Sequence, residues 1–356
     1  MSSCCFMYQN LVTATEQVRL SSAQAGVVGM PAPRARGSAV AYAAGEYQGA
    51  ADQVFLVEID SVAAGRQVGQ ATFRWQRGSA GAWEQTGVTT GDSLIALADG
   101  VSLKWLSGSG DDFALGDAWS ILAVRSHGPA ALLDRDRDQQ WISTGAADEH
   151  LTVDLGQPRR VGAVILADHN LSDAAVVTLM ANPSDAWSAP AYSQALSLTR
   201  PHLVSFPERS YRYWRLRLQD PANQEGVLKA SGLFLGPRFC PSRTFRAGYR
   251  RATLAGRRVT TTDAGKMAGH TRGLADNLAV EFRGLDQYDA DAFRAMFQAI
   301  HDPDSGRLAP VFFTPFDHRP GDTLYCLPGP SLDLSQTHHD RWALKLNLEE
   351  VVRTHV

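Results

Sequence analysis

The sequence is poor in lysine and has no long apolar run. Of its 34 basic residues only four are lysines, namely Lys104, Lys229, Lys266 and Lys345. No run of about 18 apolar residues occurs, so we expect no membrane insertion. The first ten residues have no cationic start and no long apolar stretch, which predicts no secretory signal. The net charge of −3 argues against a dedicated nucleic-acid binder.

Cysteines and catalytic motifs are also scarce. The chain has four cysteines, Cys4, Cys5, Cys240 and Cys326. Their spacing fits neither a metal site nor the regular pattern of a disulfide-rich domain, so we expect free thiols in a protein made in a reducing cytoplasm. The sequence contains no G-x-S-x-G, H-E-x-x-H, P-loop or G-x-G-x-x-G motif. We therefore expect the chain not to be an enzyme.

What is present favours a mainly β protein of two or three domains. The 356 residues include 31 glycines, 17 prolines and 8 tryptophans, a turn-rich composition. Alternating apolar and polar residues predict strands at Gln53–Asp60, Ala71–Gln76, Leu151–Leu155 and Tyr211–Leu218. A hairpin turn is expected at Asp99-Gly100.

The last third of the chain has a different pattern. Residues 238–280 carry nine basic residues against two acidic ones. One helix is then predicted, with Asp289 as its N-cap and an apolar face of Phe293, Met296, Phe297 and Ile300. Strands are expected at Pro310–Phe316 and at 342–348.

The second β region resembles the discoidin (F5/8 type C) β-sandwich. The residues that carry the resemblance are Leu132-Leu133-Asp134, Trp141-Ile142-Ser143, Leu151–Gly156 with Val161, and Tyr213–Leu216. The segment that opens such domains lies far upstream, within 10–32, so we predict a discontinuous sandwich, 1–37 and 126–237, with a small β domain, 38–125, inserted. The alternative is two consecutive domains with a loose N-terminal arm.

The inserted region and the C-terminal part resemble phage proteins. Gly45–Gly49, Val57–Asp60 and Gly116–Trp119 fit a small β module of tail and baseplate proteins. Together with Gly232–Gly236 and Leu344–Val351, they make the chain similar to the minor or distal tail-tip proteins of siphophages. This resemblance implies an α+β tail-tube-like domain at 238–356.

The same resemblance implies a role and partners. The chain would be a virion protein, assembled in the host cytoplasm into a homo-oligomeric ring of three or six copies. Its neighbours would be the tube, hub and tape-measure proteins, and it would contribute to host attachment. The alternative function is a soluble, lectin-like carbohydrate-binding protein. A glycan-degrading enzyme with a sugar-binding module is the least favoured hypothesis.

Three aromatic residues are candidates for a glycan platform because flat rings stack on the apolar faces of sugars. They are Trp187, Tyr192 and Trp141. Trp187 lies in a predicted loop and is the best candidate for exposure. For Trp141 we favour a core position beside the Leu151–Leu155 strand.

Asp134, Asp136 and Asp138 alternate in one loop and are a candidate Ca²⁺ site, since calcium prefers carboxylate oxygens. The pattern does not continue as an EF-hand, and the interleaved arginines favour a solvated loop instead. No other cofactor is predicted. His169, and the pair His338-His339, are expected to be structural or surface residues rather than ligands.

The basic run suggests a surface for binding another macromolecule. We favour an interface between subunits, in which arginines pair with carboxylates of a neighbour. The alternative is contact with DNA passing down a tail, although the run has few of the interleaved aromatic residues that single-strand binding uses. The candidate residues are Arg246, Arg250, Arg251, Arg257 and Arg258.

Overall fold

A computed structural model describes residues 3–78, 81–135, 137, 139–246, 250–261, 267–303 and 306–351, with only the backbone described at 254–261 and 267–274. The described chain is mainly β and divides into two compact units. One unit is Ala23–Gly128, and the other combines Met1–Ser22 with Pro129–Val356. No helix in the described ranges is long and apolar enough to cross a membrane.

Two short strands near the N-terminus belong to different sheets of the larger unit. They are β1 (Cys5–Met7) and β2 (Val18–Leu20), with a 3-10 turn at Thr15–Gln17 between them. β1 joins the C-terminal sheet, whereas β2 joins the sandwich. The N-terminal segment is therefore shared between two sheets, which the prediction of a sandwich over 1–37 did not anticipate.

The described residues of the unit Ala23–Gly128 form strands and the turns between them, with no helix. The strands are β3 (Val27–Val28), β4 (Ala32–Arg34), β5 (Val40–Ala44), β6 (Gln53–Ser61), β7 (Thr72–Arg77), β8 (Gln85–Thr89), β9 (Ile95–Ala96), β10 (Ser102–Leu106) and β11 (Ala118–Val124). One sheet runs β3-β11-β6-β7-β8, with β4 also paired to β11, and a second runs β5-β10-β9. Because β3 and β4 pair with β11, this unit begins well before the predicted residue 38.

An aromatic cluster fills the core of this unit. The Trp105 ring makes edge contacts with Phe73, Phe113 and Trp119 at centroid distances of 4.8–5.8 Å. The predicted hairpin turn is confirmed, because Asp99 and Gly100 both have positive φ, 49° and 81°. A Cβ at position 100 would lie 2.2 Å from a backbone oxygen, so the turn requires glycine there.

The sandwich lies in the larger unit and follows a 3-10 turn at Pro129–Leu132. Its strands are β12 (Trp141–Ile142), β13 (Glu149–Val161), β14 (Ala163–Ala167), β15 (Val176–Asn182), β16 (Tyr192–Leu196), β17 (Leu203–Ser205), β18 (Arg209–Gln219), β19 (Lys229–Ala230) and β20 (Gly232–Gly236). A five-stranded antiparallel sheet, β16-β15-β18-β13-β2, faces a three-stranded sheet, β17-β14-β20. β12 pairs with β19.

The inner and outer faces of the five-stranded sheet follow the predicted alternation. On β18, Trp214, Leu216 and Leu218 are buried, whereas Arg215 and Arg217 lie on the outer face. Leu151 and Val153 of β13 are buried with them. The period of two along each strand therefore separates the sandwich core from a polar, outward face.

The C-terminal part of the larger unit is a sheet covered on one face by a helix. Its elements are β21 (Arg250–Thr261), β22 (Met267–Leu285), α1 (Gln287–Ile300), β23 (Val311–Thr314), a 3-10 turn (Pro320–Asp322), β24 (Leu324–Pro328), β25 (Asp333–His338) and β26 (Arg341–Glu350). The strand order is β1-β23-β24-β26-β22-β21, with β25 also paired to β26. Phe293, Met296 and Ile300 of α1 are buried among residues of this sheet.

The helix begins three residues earlier than predicted. Asp286 is the N-cap, and its carboxylate accepts a hydrogen bond of 2.8 Å from the backbone N–H of Asp289. Asp289, the predicted N-cap, lies in the first turn, where it is 1% exposed and accepts from Ser242. Both positions carry the same residue type, so local pattern alone did not distinguish the cap from a buried acceptor.

Cys5 and Cys240 form a disulfide, so the prediction of free thiols is wrong for these two residues. Phe6 of β1 and Phe239 exchange two backbone hydrogen bonds of 2.7 and 2.8 Å, which places the neighbouring cysteines opposite each other. This pairing joins segments more than 200 residues apart, and therefore leaves no trace in cysteine spacing. Cys4 and Cys326 are buried free thiols.

Candidate functional site

One row of side chains crosses the outer face of the five-stranded sheet. Arg19 on β2 is in register with Thr152 on β13, Thr152 with Arg215 on β18, and Arg215 with Met180 on β15. Residues directly opposite in antiparallel strands lie within about 5.5 Å of each other at their Cβ atoms. The sheet therefore brings together residues that are far apart in the sequence.

Trp187 covers part of this row. It belongs to the loop between β15 and β16, is partly exposed, and has its ring centroid 4.3 Å from the Arg215 guanidinium carbon. Its indole N–H donates to Asp185 Oδ1 at 2.6 Å, and Asp185 also forms an ion pair with Arg19. The loop is therefore fastened to the sheet face at two points.

These contacts fix the charge of Asp185. The hydrogen bond from the Trp187 indole, opposed by partial burial and aided by Arg19, holds the pKa of the Asp185 carboxyl below its usual range. The carboxylate is therefore ionised at neutral pH. Its charge is balanced by Arg19 on β2, the opposite edge strand of the sheet.

Arg215 differs from Arg212 and Arg217 on the same strand, β18. Its Nε donates to Thr152 Oγ1 at 2.8 Å, and it forms no ion pair with any carboxylate in the described chain. Burial lowers the pKa of Arg215 from its ordinary value, although an arginine stays protonated. By contrast, Arg212 pairs with Asp154 and Arg217 with Asp148.

We call Arg19, Thr152, Asp185, Trp187 and Arg215 the Trp187 patch. It combines an exposed part of an aromatic ring with charged hydrogen-bond donors on an open sheet face. An aromatic face contacts the C–H face of a sugar ring, and polar groups beside it bind the hydroxyls. The patch can therefore bind a flat, polar ligand without any metal.

The three aromatic residues predicted for glycan binding do not lie together. Tyr192 is paired with Ala181, on the inner side of the sheet, and its ring contacts the edge of Trp214 at 6.3 Å. Trp141 is 0% exposed, and its indole N–H donates to the Ser22 backbone oxygen at 2.9 Å. Trp141 is thus a core residue and unable to stack on a ligand, in agreement with the core position that we favoured for it. Trp187 and Tyr192 are both partly exposed, and Trp187 is the one that lies over the outer face of the sheet.

Four residues of the patch were not predicted from the sequence, namely Arg19, Thr152, Asp185 and Arg215. The alternation in β18 already placed Arg215 on the polar face, so this residue had a signal. Arg19 and Asp185 had none, because their positions depend on which strand occupies the sheet edge and on how the loop folds back.

The candidate calcium loop is only partly described, since Asp136 and Asp138 lie outside the described residues. Asp134 accepts a hydrogen bond of 3.1 Å from the Gln139 backbone N–H. Arg137 turns away from the loop and forms a buried ion pair with Asp168 at 2.9 Å. Across the described ranges, no three His, Cys, Asp or Glu side chains are grouped as metal ligands.

The basic candidates fall at the start and along the length of β21. Arg246 and Arg250 are exposed, and Arg251 donates to Asp276 Oδ2 at 2.5 Å, within the same hairpin. Arg257 and Arg258 are paired through the backbone with β22, and their side chains lie outside the description. Whether any of them faces a neighbour or DNA stays a prediction.

The histidines match their expected structural roles where they are described. His169 is 8% exposed, its Nε2 lies 2.8 Å from the Thr199 carbonyl oxygen, and its Nδ1 accepts from the Leu171 N–H. Burial lowers the pKa of His169, so the ring is neutral. His338 and His339 are exposed, and His339 contacts only its neighbour Asp340 at 2.9 Å.

Comparisons with known proteins give partial likenesses only. No family model matches the chain, and no curated protein matches it. Among solved structures, the chain is similar to chitosan-binding module 2 of a chitosanase/glucanase from Paenibacillus sp. IK-5 in complex with chitotriose (14% identity, 31% of this chain and 87% of that chain, TM-score 0.25).

Two further solved structures of the same kind are similar to the chain. One is a Streptococcus pneumoniae fucose-binding module (15% identity, 31% of this chain and 82% of that chain, TM-score 0.25). The other is the family 32 carbohydrate-binding module of C. perfringens NanJ with galactose (11%, 31% and 83%, TM-score 0.25). These three solved structures are carbohydrate-binding modules, and at these TM-scores the likeness decides nothing about what this chain binds.

Proposed function

We propose that this chain is a carbohydrate-binding protein that holds glycans on the Trp187 patch. The observation that carries the proposal is the partly exposed Trp187 ring, fastened over Arg215 and beside Asp185 on an open sheet face. A ring that is already fixed loses little conformational entropy when a sugar stacks on it. The neighbouring N–H and carboxylate groups supply the polar contacts that distinguish one sugar from another.

A glycan array probed with the purified full chain tests this proposal. We expect binding to at least one class of glycan, reduced by about tenfold or more in Trp187→Ala because the stacking surface is lost. Trp342→Ala is the matched control, since Trp342 is another partly exposed tryptophan under an arginine, at the C-terminal sheet. Binding that survives Trp187→Ala, or no binding to any glycan, would overturn the proposal.

We further propose that the chain binds without catalysing a reaction. The thiols of Cys4 and Cys326 are buried, and burial raises the pKa of Cys4 to about 12 and that of Cys326 further, so neither is a ready nucleophile. His202 is buried, and burial lowers its pKa to about 3. Mass spectrometry of glycans incubated with the chain should show no cleavage product.

A second candidate function is that of a tail-tip component of a siphophage, and one feature favours it. Residues 277–285 of β22 pair with β26, whereas 267–274 pair only with β21 among the described strands. The hairpin thus continues past the sheet for about eight residues, roughly 25 Å. The outer edge of β21 has no partner strand in the described chain, and such an edge can pair with another copy.

In this second proposal the chain forms a ring of three or six copies at the tail end. It would be a virion protein, assembled in the host cytoplasm beside the tube, hub and tape-measure proteins, with the Trp187 patch serving attachment to the host surface. Light scattering and electron microscopy of the purified chain test it. We expect closed rings that are lost when the hairpin is shortened at 255–272, and a chain that stays monomeric in both forms would contradict the proposal.

A further inference from the structure

Arg19, Arg212, Arg215 and Arg217 are arginines of the five-stranded sheet that differ in how their charges are balanced. Arg19, Arg212 and Arg217 each form an ion pair with an aspartate. Arg215, between them on the central strand, has no carboxylate partner in the described chain. One positive charge at the centre of the face is therefore left for an external anion.

The hydrogen bonds of Arg215 also leave a defined set of donors. A guanidinium has five N–H groups, one on Nε and four on the two terminal nitrogens. The single Nε–H is used by Thr152 Oγ1. The two terminal nitrogens have no hydrogen-bond acceptor in the described chain. They are also not among the buried atoms that lack a partner, so their N–H groups are exposed to solvent. The free end of the fork has the geometry that binds a carboxylate through two parallel hydrogen bonds.

Trp187 strengthens this arrangement. Its ring lies 4.3 Å from the guanidinium carbon, which holds the plane of the fork and removes water from one side. An ion pair formed in such a partly desolvated position is less screened than one in open water. Asp185 also attracts Arg215, but its ion pair is with Arg19, and it makes no ion pair or hydrogen bond with Arg215 in the described chain.

We propose that the Trp187 patch selects sugars that carry a carboxylate, and that the terminal nitrogens of Arg215 bind this carboxylate; the inference rests on the proposed glycan binding at the same patch. A uronic or sialic acid unit has its carboxylate attached directly to the sugar ring. Binding the carboxylate to Arg215 therefore brings the ring next to the exposed part of Trp187. Neutral sugars lack the charge-assisted contact and bind more weakly.

The test uses two pairs of ligands that differ in the carboxylate. Trigalacturonic acid is compared with its methyl ester, and 3′-sialyllactose with the methyl ester of its sialic acid, by isothermal titration of the full chain. We expect the acid of at least one pair to bind about tenfold more tightly than its neutral partner, as a bidentate charged contact predicts. This preference should shrink as salt concentration rises.

Variants of Arg215 distinguish the effect of the guanidinium geometry from the effect of positive charge and from a loss of folding. Arg215→Gln should abolish the preference for the acid, and Arg215→Lys should restore only part of it, because lysine keeps the charge but not the fork. Arg212→Gln, which removes an arginine already paired with Asp154, is the control and should keep the full preference. Melting curves of each variant confirm that it is folded.

The outcomes for the two proposals are distinct. Equal binding of acid and neutral partner, still lost in Trp187→Ala, would overturn the carboxylate selectivity and leave glycan binding in place. A preference for the acid that persists in Arg215→Gln would overturn the role of Arg215. No binding of any of the four ligands, together with an empty glycan array, would overturn both proposals.

Discussion

Three partly exposed tryptophans of the described chain lie under an arginine, namely Trp83, Trp187 and Trp342. Trp187 and Trp342 belong to the same unit, and they differ in how that arginine is satisfied. On the sandwich, Arg215 lies 4.3 Å from the Trp187 ring and has a hydroxyl, on Thr152, as its acceptor. At the C-terminal sheet, Arg294 lies 5.0 Å from the Trp342 ring. Arg294, however, donates to the carboxylate of Asp291 at 2.8 Å.

The indole partners differ as well. Trp187 donates to the carboxylate of Asp185, whereas Trp342 donates to the neutral amide of Gln287 at 3.0 Å. Trp342 also packs against the buried cluster of its sheet and helix. A tryptophan under an arginine therefore covers the edge of the hydrophobic core at Trp342. At Trp187 the same combination leaves hydrogen-bond donors for a ligand.

The largest expected difference between the two sites is in stability. Trp342→Ala should lower the free energy of unfolding by about 2 kcal/mol, because it removes packing against the C-terminal core. Trp187→Ala should lower it by less than about 1 kcal/mol, since its ring lies on the surface. Denaturant unfolding of both variants measures this, and a larger loss in Trp187→Ala would reverse the assignment of the two tryptophans.

A carboxylate placed beside Arg215 should make the sandwich site resemble the C-terminal one. Met180 is in register with Arg215 on the neighbouring strand and is partly exposed. We expect Met180→Glu to pair with Arg215 and to reduce the affinity for an acidic glycan by about fivefold. Met180→Gln is the uncharged control and should change it little. Equal loss in both variants would point to shape rather than to charge.

A smaller effect is expected from the hydroxyl that accepts from Arg215. Thr152→Val keeps the side-chain shape and removes this acceptor, so Arg215 should be less firmly oriented. We expect affinity for the acidic glycan to fall by about threefold, in line with the loss of one hydrogen bond. Thr178→Val, on the same face and in register with Arg217, is the control and should bind as the unaltered chain does.

The smallest effect concerns pH and follows from the lowered pKa of Asp185. A carboxyl whose pKa is lower in the folded chain contributes stability above its unfolded value, about 4, and loses it as the pH falls through the folded value. The Trp187 contact should therefore persist at neutral pH and weaken only in strong acid. The difference in fluorescence between the chain and Trp187→Phe, followed downward from pH 7, measures this.

Asp185→Asn provides the control for that titration, because an amide does not ionise in this range. It should abolish the acid transition of the Trp187 signal. Trp342, whose indole partner is the amide of Gln287, should show no such transition when its own signal is isolated with Trp342→Phe. If the Trp342 signal showed an acid transition of the same size, ionisation of Asp185 would not be the cause of the transition at Trp187.

The fold was predictable where the pattern is local. Alternation within Tyr211–Leu218, the Asp99-Gly100 turn and the apolar face of α1 all depend on neighbours a few residues away. The extent of the unit Ala23–Gly128 was not predictable, because β3 and β4 are short and acquire their place by pairing with β11. The disulfide between Cys5 and Cys240 was missed for the same reason.

The residues of the candidate site also differ in whether local sequence could predict them. Trp187 was singled out because a tryptophan in a loop of small and polar residues is a frequent contact residue. Trp141 and Tyr192 were candidates of the same kind, with a core position favoured for Trp141. The Trp141 indole donates to the Ser22 backbone inside the core, and the Tyr192 ring contacts the edge of Trp214. Residue type indicates what a side chain can do, and burial decides whether it is free to do it.

The sequence by itself determined that the chain is mainly β, which residues of most strands face inward, and that arginine supplies nearly all of the positive charge. Only the tertiary structure decided which arginines of the five-stranded sheet pair with a carboxylate. Arg19, Arg212 and Arg217 have aspartate partners that come from distant strands and loops, and Arg215 has none. The reason is physical: an ion pair depends on a few ångströms of separation, and strand order and register set that distance.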